Sequence, residues 1–139
     1  MSNRFFNSKF WDDEYVTKLN EKEKVVFIYL FTNSFINFAG VYEIMRRKIV
    51  FDTGVPDIEV INILEKFETE EKILYIDGWV VVINCIRHQK HGSPTVIKSA
   101  EKRLEEIPEV ILGKIKMHKN FSIWMSHVPK WFKQKIDTL

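Results

Sequence analysis

Basic side chains in several short stretches could neutralise the phosphates of a nucleic acid. Closely spaced cations each displace a counterion from the phosphate backbone, which is the chemistry of sequence-independent DNA binding. The candidate residues are Arg46, Arg47, Lys48, Arg87, His88, Lys90, Lys98 and Lys102. A solvated basic surface has the same composition, so the pattern leaves both interpretations open.

Two polar residues, Asn62 and Lys66, fall on the outward face of a helix predicted to begin at Asp57. Asn can form paired hydrogen bonds with adenine, and Lys can bind guanine or phosphate, so both are candidates for DNA contact. Glu59 and Glu65 lie on the same predicted face and would repel phosphate. A solvated structural helix or a protein-contact face is therefore the alternative interpretation.

The spacing Cys-x₂-His-x₂-His occurs at Cys85, His88 and His91 and is compatible with zinc ligands. Three ligands leave a tetrahedral site incomplete, and no second cysteine or pair of carboxylates is placed to complete it. Cys85 also falls within a predicted strand, where a free cysteine packs as a small apolar residue. The sequence therefore predicts neither a metal site nor any other cofactor.

Familiar catalytic motifs do not occur in the chain. It contains no phosphate-binding Gly-rich loop ending in Gly-Lys-Ser/Thr, no Gly-x-Ser-x-Gly and no His-Glu-x-x-His. The acidic run at residues 12–14 lies at the start of a predicted helix, where the helix dipole stabilises carboxylates without any chemical role. We therefore predict that the protein is not an enzyme.

The net charge of +2 conceals an asymmetry between two parts of the chain. Residues 1–85 carry 10 Lys or Arg against 14 Asp or Glu, whereas residues 86–139 carry 11 against 5. The first part thus has a charge of −4 and the second a charge of +6. A polyanion is expected to meet the basic part or its junction with the acidic one.

The composition indicates a cytoplasmic protein with one domain. A single cysteine excludes an internal disulfide framework and fits a reducing compartment. No apolar run approaches the roughly 18 residues of a membrane span, and residues 1–4 are too polar for a signal peptide. With 139 residues, of which 45% are hydrophobic, the chain is expected to bury one core.

Hydrophobic periodicity predicts a mainly α-helical protein with a small β-sheet, an α+β fold. Val60, Leu64 and Phe67 recur at helical spacing, so they share one buried face. Two β-rich runs flank Asp77-Gly78, and this dipeptide between such runs is a strong hairpin signal. The predicted strands cover residues 41–44, 73–76 and 79–86.

A helix-turn-helix followed by a hairpin predicts a winged helix, here with additional helices at both ends. Residues 1–119 are assigned to this domain and its flanking helices, and residues 120–139 to a tail that packs on it or extends from it. The large aromatic side chains of the tail are Trp124, Trp131 and Phe132. They either complete the core of the domain or anchor a protein partner.

Several short motifs follow one another at a characteristic spacing. They are Phe10-Trp11, Asp13, Tyr15-Val16, Glu23-Lys24, Thr32-Asn33, Ala39-Gly40-Val41-Tyr42-Glu43-Ile44, Phe51-Asp52-Thr53-Gly54, Ile83-Asn84, Arg87-His88-Gln89, Pro94, Val96, Leu104 and Pro108. Together they resemble the amino-terminal domain of phage replisome organisers, which is similar to the winged-helix domain of the DnaD family of primosome proteins. The resemblance covers roughly the first four-fifths of the chain.

The resemblance implies binding to origin DNA, self-association and recruitment of replication proteins such as a helicase loader, in the cytoplasm of a bacterial host. Members usually carry a further carboxy-terminal domain, so a chain ending at Leu139 is expected to be either part of a longer protein or a short protein with a narrower role. The alternative function is a protein-interaction module that docks on or inhibits a host factor without binding DNA. The acidic first part of the chain favours this alternative.

Overall fold

A computed structural model of the chain describes residues 8–85 and 93–139. The described residues are mostly helical with one small antiparallel sheet, which confirms the predicted α+β class. Among them, no helix combines the length and the apolar character needed to cross a membrane. In chain order the elements are a 3₁₀ turn Ser8–Asp12, α1 Glu14–Thr17, α2 Glu21–Thr32, β1 Val41–Glu43, α3 Arg46–Thr53, α4 Asp57–Thr69, β2 Ile73–Ile76, β3 Trp79–Val82, α5 Pro94–Glu105, α6 Glu109–Lys116, α7 Phe121–Met125 and α8 Lys130–Asp137.

Local sequence signals set the ends of the helices around the candidate site. Asn20 Oδ1 accepts a hydrogen bond from the Glu23 backbone N–H, and Glu23 Oε1 accepts one from the Asn20 N–H, both at 2.9 Å. This capping box fixes the start of α2. Helix α3 ends at Gly54, whose φ of 75° is the left-handed value that favours glycine. Pro56 then precedes the first residue of α4, so only residues 54–56 separate the two helices.

The sheet has the strand order β1-β3-β2, and both pairings are antiparallel. Asp77 and Gly78 connect β2 to β3 with φ values of 48° and 82°, as a tight two-residue hairpin turn requires. Strand β3 ends at Val82 and not at residue 86, so the prediction was too long. The reason is the length of its neighbours: Val82 already pairs with Ile73, the first residue of β2. On the other side its N–H bonds the carbonyl of Gly40, just before β1.

Side chains of the strands alternate between two hydrophobic clusters, one on each face of the sheet. Tyr42, Val80 and Val82 join the cluster built with α2, α3 and α4. Val41 and Val81 join the cluster built with α5 to α8. The prediction of a single core is therefore wrong, because one sheet separates two clusters. Composition reports how many apolar residues a chain has, but not on how many faces of a sheet they gather.

Helices α7 and α8 complete the second cluster. Trp124, Phe132 and Ile136 are fully buried there. Trp131 is half-buried, and its indole N–H donates to Glu101 of α5 at 2.6 Å. These aromatic side chains of the carboxy-terminal segment thus serve the protein's own core, which was the first of the two alternatives.

We call the cluster with α2, α3 and α4 the first layer and the cluster with α5 to α8 the second layer. A buried asparagine forms hydrogen bonds between the two layers. Asn120, between α6 and α7, donates from Nδ2 to the carbonyl of Glu68 at 2.8 Å and to that of Ile73 at 3.0 Å. These carbonyls lie near the end of α4 and at the start of β2. His118 Nε2 adds a contact of 2.5 Å to the Glu68 carboxylate. The two layers are therefore joined by polar contacts as well as by the shared sheet.

Candidate nucleic-acid interface

Arg46 is the first residue of α3 and is already paired. Its guanidinium Nε lies 2.6 Å from Oδ1 of Asp57, the first residue of α4. This hydrogen bond, with the attraction between the charges, raises the pKa of Arg46 above its ordinary value. The pair joins the starts of the two helices across the turn. A phosphate would therefore compete with Asp57 for this cation.

Lys48, one of the predicted phosphate ligands, is paired with a carboxylate of its own helix. Its Nζ lies 2.9 Å from the Asp52 carboxylate one turn later and 5.3 Å from the centre of the Phe35 ring. Asp52 also accepts a hydrogen bond of 2.5 Å from the hydroxyl of Tyr29. That hydrogen bond, and then the one from Lys48, holds the pKa of Asp52 below its usual value. The carboxylate therefore stays charged and competes with phosphate for Lys48.

Arg47 differs from both of its neighbours. Its side chain is exposed, and no described residue forms an ion pair with it. One helical turn later, Phe51 is 86% exposed. Arg47 is therefore the member of the predicted Arg-Arg-Lys cluster whose charge is available to a ligand.

Two ion pairs connect the outward face of α4 to the start of α2. Lys66 Nζ lies 2.8 Å from Glu23 Oε2, and Lys22 Nζ lies 2.7 Å from Glu59 Oε1. The bond to Glu23 raises the pKa of Lys66. Burial alone would raise the pKa of Glu23, but hydrogen bonds from Lys66 and from the Asn20 N–H lower it. Lys66, a predicted DNA ligand, is thus engaged with a neighbouring helix.

Asn62 is exposed on α4, as the helical periodicity predicts. It lines a shallow cleft together with Asn20 and the bridged residues of α2 and α4. Its amide is open to a ligand, but the carboxylates of Glu59 and Glu65 flank it at three residues on either side. Base recognition by this helix would therefore rest on one amide within an acidic surface.

The remaining predicted ligands lie elsewhere in the chain. Lys98 and Lys102 are exposed on α5, in the layer on the other face of the sheet. Neither of them forms an ion pair with a described residue of α3 or α4. Arg87, His88 and Lys90 lie outside the described residues.

Of the three residues with zinc-like spacing, the structure describes Cys85, whereas His88 and His91 lie outside the described residues. Cys85 lies beyond the end of β3, not within the strand as predicted. Its Sγ approaches the carbonyl of Phe38 at 3.7 Å, and burial raises the pKa of the thiol to about 11. No cluster of three or more His, Cys, Asp or Glu side chains within residues 8–85 and 93–139 could hold a metal ion.

Sequence reasoning missed the ion pairs and the exposure of Met45 and Phe51 near them, whereas helical periodicity placed Ile58 on the outward face of α4. Pairs at a spacing of four residues, such as Lys48 with Asp52, could have been found from the sequence. Pairs between elements, such as Lys66 with Glu23, depend on how the helices pack. The exposed apolar residues on or beside α3 and α4 are Met45, Phe51 and Ile58.

Comparison of the chain with protein-family models, with curated proteins and with solved structures finds no match. The function is therefore inferred from the arrangement of helices, strands and charged side chains described above.

Proposed function

We propose that the protein is a winged-helix DNA-binding protein that acts in phage replication initiation. The observation that carries the proposal is the order of elements: α3, a three-residue turn and α4 are followed by a two-stranded hairpin. Strand β1 adds to the outer side of β3, giving the sheet order β1-β3-β2. We infer from this order that α4 is the recognition helix and that the turn Asp77-Gly78 is the wing. The role in replication rests on the motif resemblance alone.

Contacts with phosphate, not with bases, fit this surface best. Arg47 offers an exposed cation without an ion pair among the described residues. Helix α4, in contrast, presents Glu59 and Glu65, and its Lys66 is bonded to Glu23. Carboxylates on a recognition helix oppose the phosphate backbone, so tight reading of a base sequence is not expected. We therefore infer weakly sequence-dependent binding to DNA.

Fluorescence anisotropy with a labelled duplex of about 20 base pairs tests this proposal. Replacing Arg47→Ala should weaken binding by a similar factor for unrelated sequences and lower the slope of log K against log salt by about 1. Lys18→Ala is the matched control, because Lys18 is an exposed cation that lies on α1's carboxy-terminal side and is paired with Glu14. The control should leave both affinity and slope unchanged. Equal effects of the two substitutions, or binding that ignores salt, would contradict the proposal.

A protein-interaction module is the second candidate function. It is favoured by three exposed apolar side chains on or beside α3 and α4: Phe51 at 86%, Ile58 at 64% and Met45 at 56%. Exposed side chains of this size are typical of protein interfaces when they gather on one surface. Absence of binding to both duplex and single-stranded DNA in the titration above would favour this candidate over the first.

A further inference from the structure

The two outer strands of the sheet, β1 and β2, differ in how their free edges are covered. On β2, the carbonyl of Ile73 accepts a hydrogen bond from Asn120 Nδ2 at 3.0 Å, and the N–H of Tyr75 donates to the Glu68 carboxylate at 3.1 Å. Helices α4 and α6 both pack beside this strand. Side chains and helices thus cover the edge of β2, which is a common way to protect a sheet edge.

The backbone of β1 alternates between its partner strand and the free edge. The carbonyl of Gly40 and the N–H of Ile44 form ladder bonds with the hairpin, at 2.8 Å and 2.7 Å. In an antiparallel ladder the residues at alternate positions point their N–H and C=O groups the other way. Val41 and Glu43 therefore direct theirs to the free edge.

Three of these four outward groups are open. The Val41 carbonyl accepts a hydrogen bond from Asn37 Nδ2 at 2.7 Å. The Val41 N–H and both backbone groups of Glu43 have no hydrogen-bond partner among the described residues. Two donors and one acceptor thus follow one another along the edge. The backbone of an extended peptide supplies the complementary groups at the same spacing.

The open edge lies in a groove of about 470 Å³. The groove is lined by residues 34–37, by β1, and by Trp79, Arg103 and Glu106. Its volume falls within the range of about 300–1,000 Å³ that is usual for ligand sites. Trp79 pairs with Glu43 across the two strands, so their side chains lie on the same face of the sheet. A strand bound at the edge would place alternate side chains beside Glu43.

The charges of the groove favour a basic occupant. Arg103 Nη1 lies 3.2 Å from Glu106 Oε2, so these two charges offset each other. Glu43 is exposed and forms no ion pair with a described residue. A Lys or Arg opposite Glu43 would form a favourable cross-strand pair.

A second copy of β1 does not fit the same edge. In an antiparallel pairing of two copies, every register that uses Val41 requires its carbonyl, which Asn37 already bonds. The remaining register places each Glu43 directly opposite the Glu43 of the other copy, and like charges at such positions are destabilising. The edge is therefore suited to a strand of different sequence.

We propose that the free edge of β1 binds an extended basic segment of a partner protein, which adds to the sheet as a fourth strand. The Val41 N–H and the backbone of Glu43 supply the hydrogen bonds, and the Glu43 carboxylate selects a Lys or Arg opposite it. This site goes beyond DNA binding, because it uses neither α3, α4 nor the Asp77-Gly78 turn.

Fluorescence anisotropy with three labelled peptides tests the edge in the full chain. The first peptide is Thr-Lys-Val-Lys-Val-Lys-Thr, the second has Glu in place of each Lys, and the third is the first with every backbone nitrogen methylated. The first should bind, and the second should bind about tenfold more weakly. The third should not bind, because methylation removes the donors that the Glu43 carbonyl requires. Equal binding of the first and third peptides, which carry the same charge, would overturn the proposal.

Two substitutions of Glu43 separate the backbone from the charge. Glu43→Pro removes an outward N–H and spares the β1–β3 ladder, as edge strands allow, so it should weaken the first peptide about tenfold with little change in melting temperature. Glu43→Gln removes only the charge and should weaken it about two- to fivefold. Glu21→Gln is the matched control, because Glu21 is an exposed carboxylate on α2. It should leave the affinity unchanged.

Hydrogen exchange measures protection at the edge itself. Saturation with the first peptide should slow exchange of the Val41 and Glu43 amides and leave that of the Ile44 amide, which already bonds Gly78, unchanged. No binding of the first peptide up to about 1 mM would overturn the proposal. A dimer of the free chain that Glu43→Pro dissociates would also overturn it, because a second copy would then occupy the edge. The duplex titration is scored separately, so a failure of either proposal leaves the other standing.

Discussion

A chain that ends at Lys119 is expected to lose the folded structure of its second layer. The truncation removes Asn120, which bonds the carbonyls of Glu68 and Ile73, and the fully buried Trp124, Phe132 and Ile136. Loss of a large buried side chain costs about 3–5 kcal/mol, whereas a whole domain is typically stable by about 5–15 kcal/mol. The apolar faces of α5 and α6 would then be exposed to water.

Circular dichroism, thermal unfolding and light scattering of the truncated chain would measure this effect. We expect reduced helix content, a broad or absent unfolding transition and association through the uncovered apolar surface. A chain ending at Asp137 is the matched control, because it removes only the exposed Thr138 and Leu139. Cooperative unfolding of the Lys119 chain at the wild-type temperature would show that residues 120–139 are peripheral to the core.

Replacing Phe67→Ala is expected to destabilise the protein by about 3–5 kcal/mol. Phe67 on α4 has no exposed surface and packs against two other aromatic rings. Its ring centre lies 5.0 Å from that of Phe27 on α2 and 6.5 Å from that of Tyr15 on α1. The substitution would leave a cavity where three helices meet, because neighbouring side chains relax only in part.

Urea unfolding of the Phe67→Ala and Phe51→Ala variants measures how much each substitution lowers the free energy of unfolding. Phe51 is 86% exposed, so its removal should change the free energy of unfolding by no more than about 0.5 kcal/mol. The two variants delete the same atoms from neighbouring helices and differ only in burial. A similar cost at both positions would mean that the α2–α4 cluster is not the packed core described here.

Local signals in the sequence were sufficient for most of the first layer. The Asp77-Gly78 turn, the capping box at Asn20 and the end of α3 at Gly54 each depend on residues adjacent in the chain. The end of β3 at Val82 was missed because it is set by the strands on either side. The second hydrophobic cluster was missed for a related reason: the pattern of Val41 and Val81 predicts a strand, not which helices cover it.

The sequence shows which residues of the candidate site are basic, but not which of them are free of a carboxylate partner. Arg47 and Arg46 are indistinguishable in the sequence, yet only Arg46 meets a carboxylate across the turn. Glu23 and Lys66 are far apart in the chain, and their pairing arises from the packing of α2 against α4. Burial and the ion pairs between elements depend on tertiary contacts, which a charge pattern cannot supply.

Amide shift mapping by NMR tests the central claim, DNA binding through a winged helix, most directly. A ¹⁵N-labelled full chain would be titrated with an unlabelled duplex at low salt. The account predicts shifts that cluster on α3, on residues 54–56, on the first turns of α4 and at the Asp77-Gly78 turn, and that disappear as salt is raised. Saturating duplex that moves no amide in these segments would contradict it.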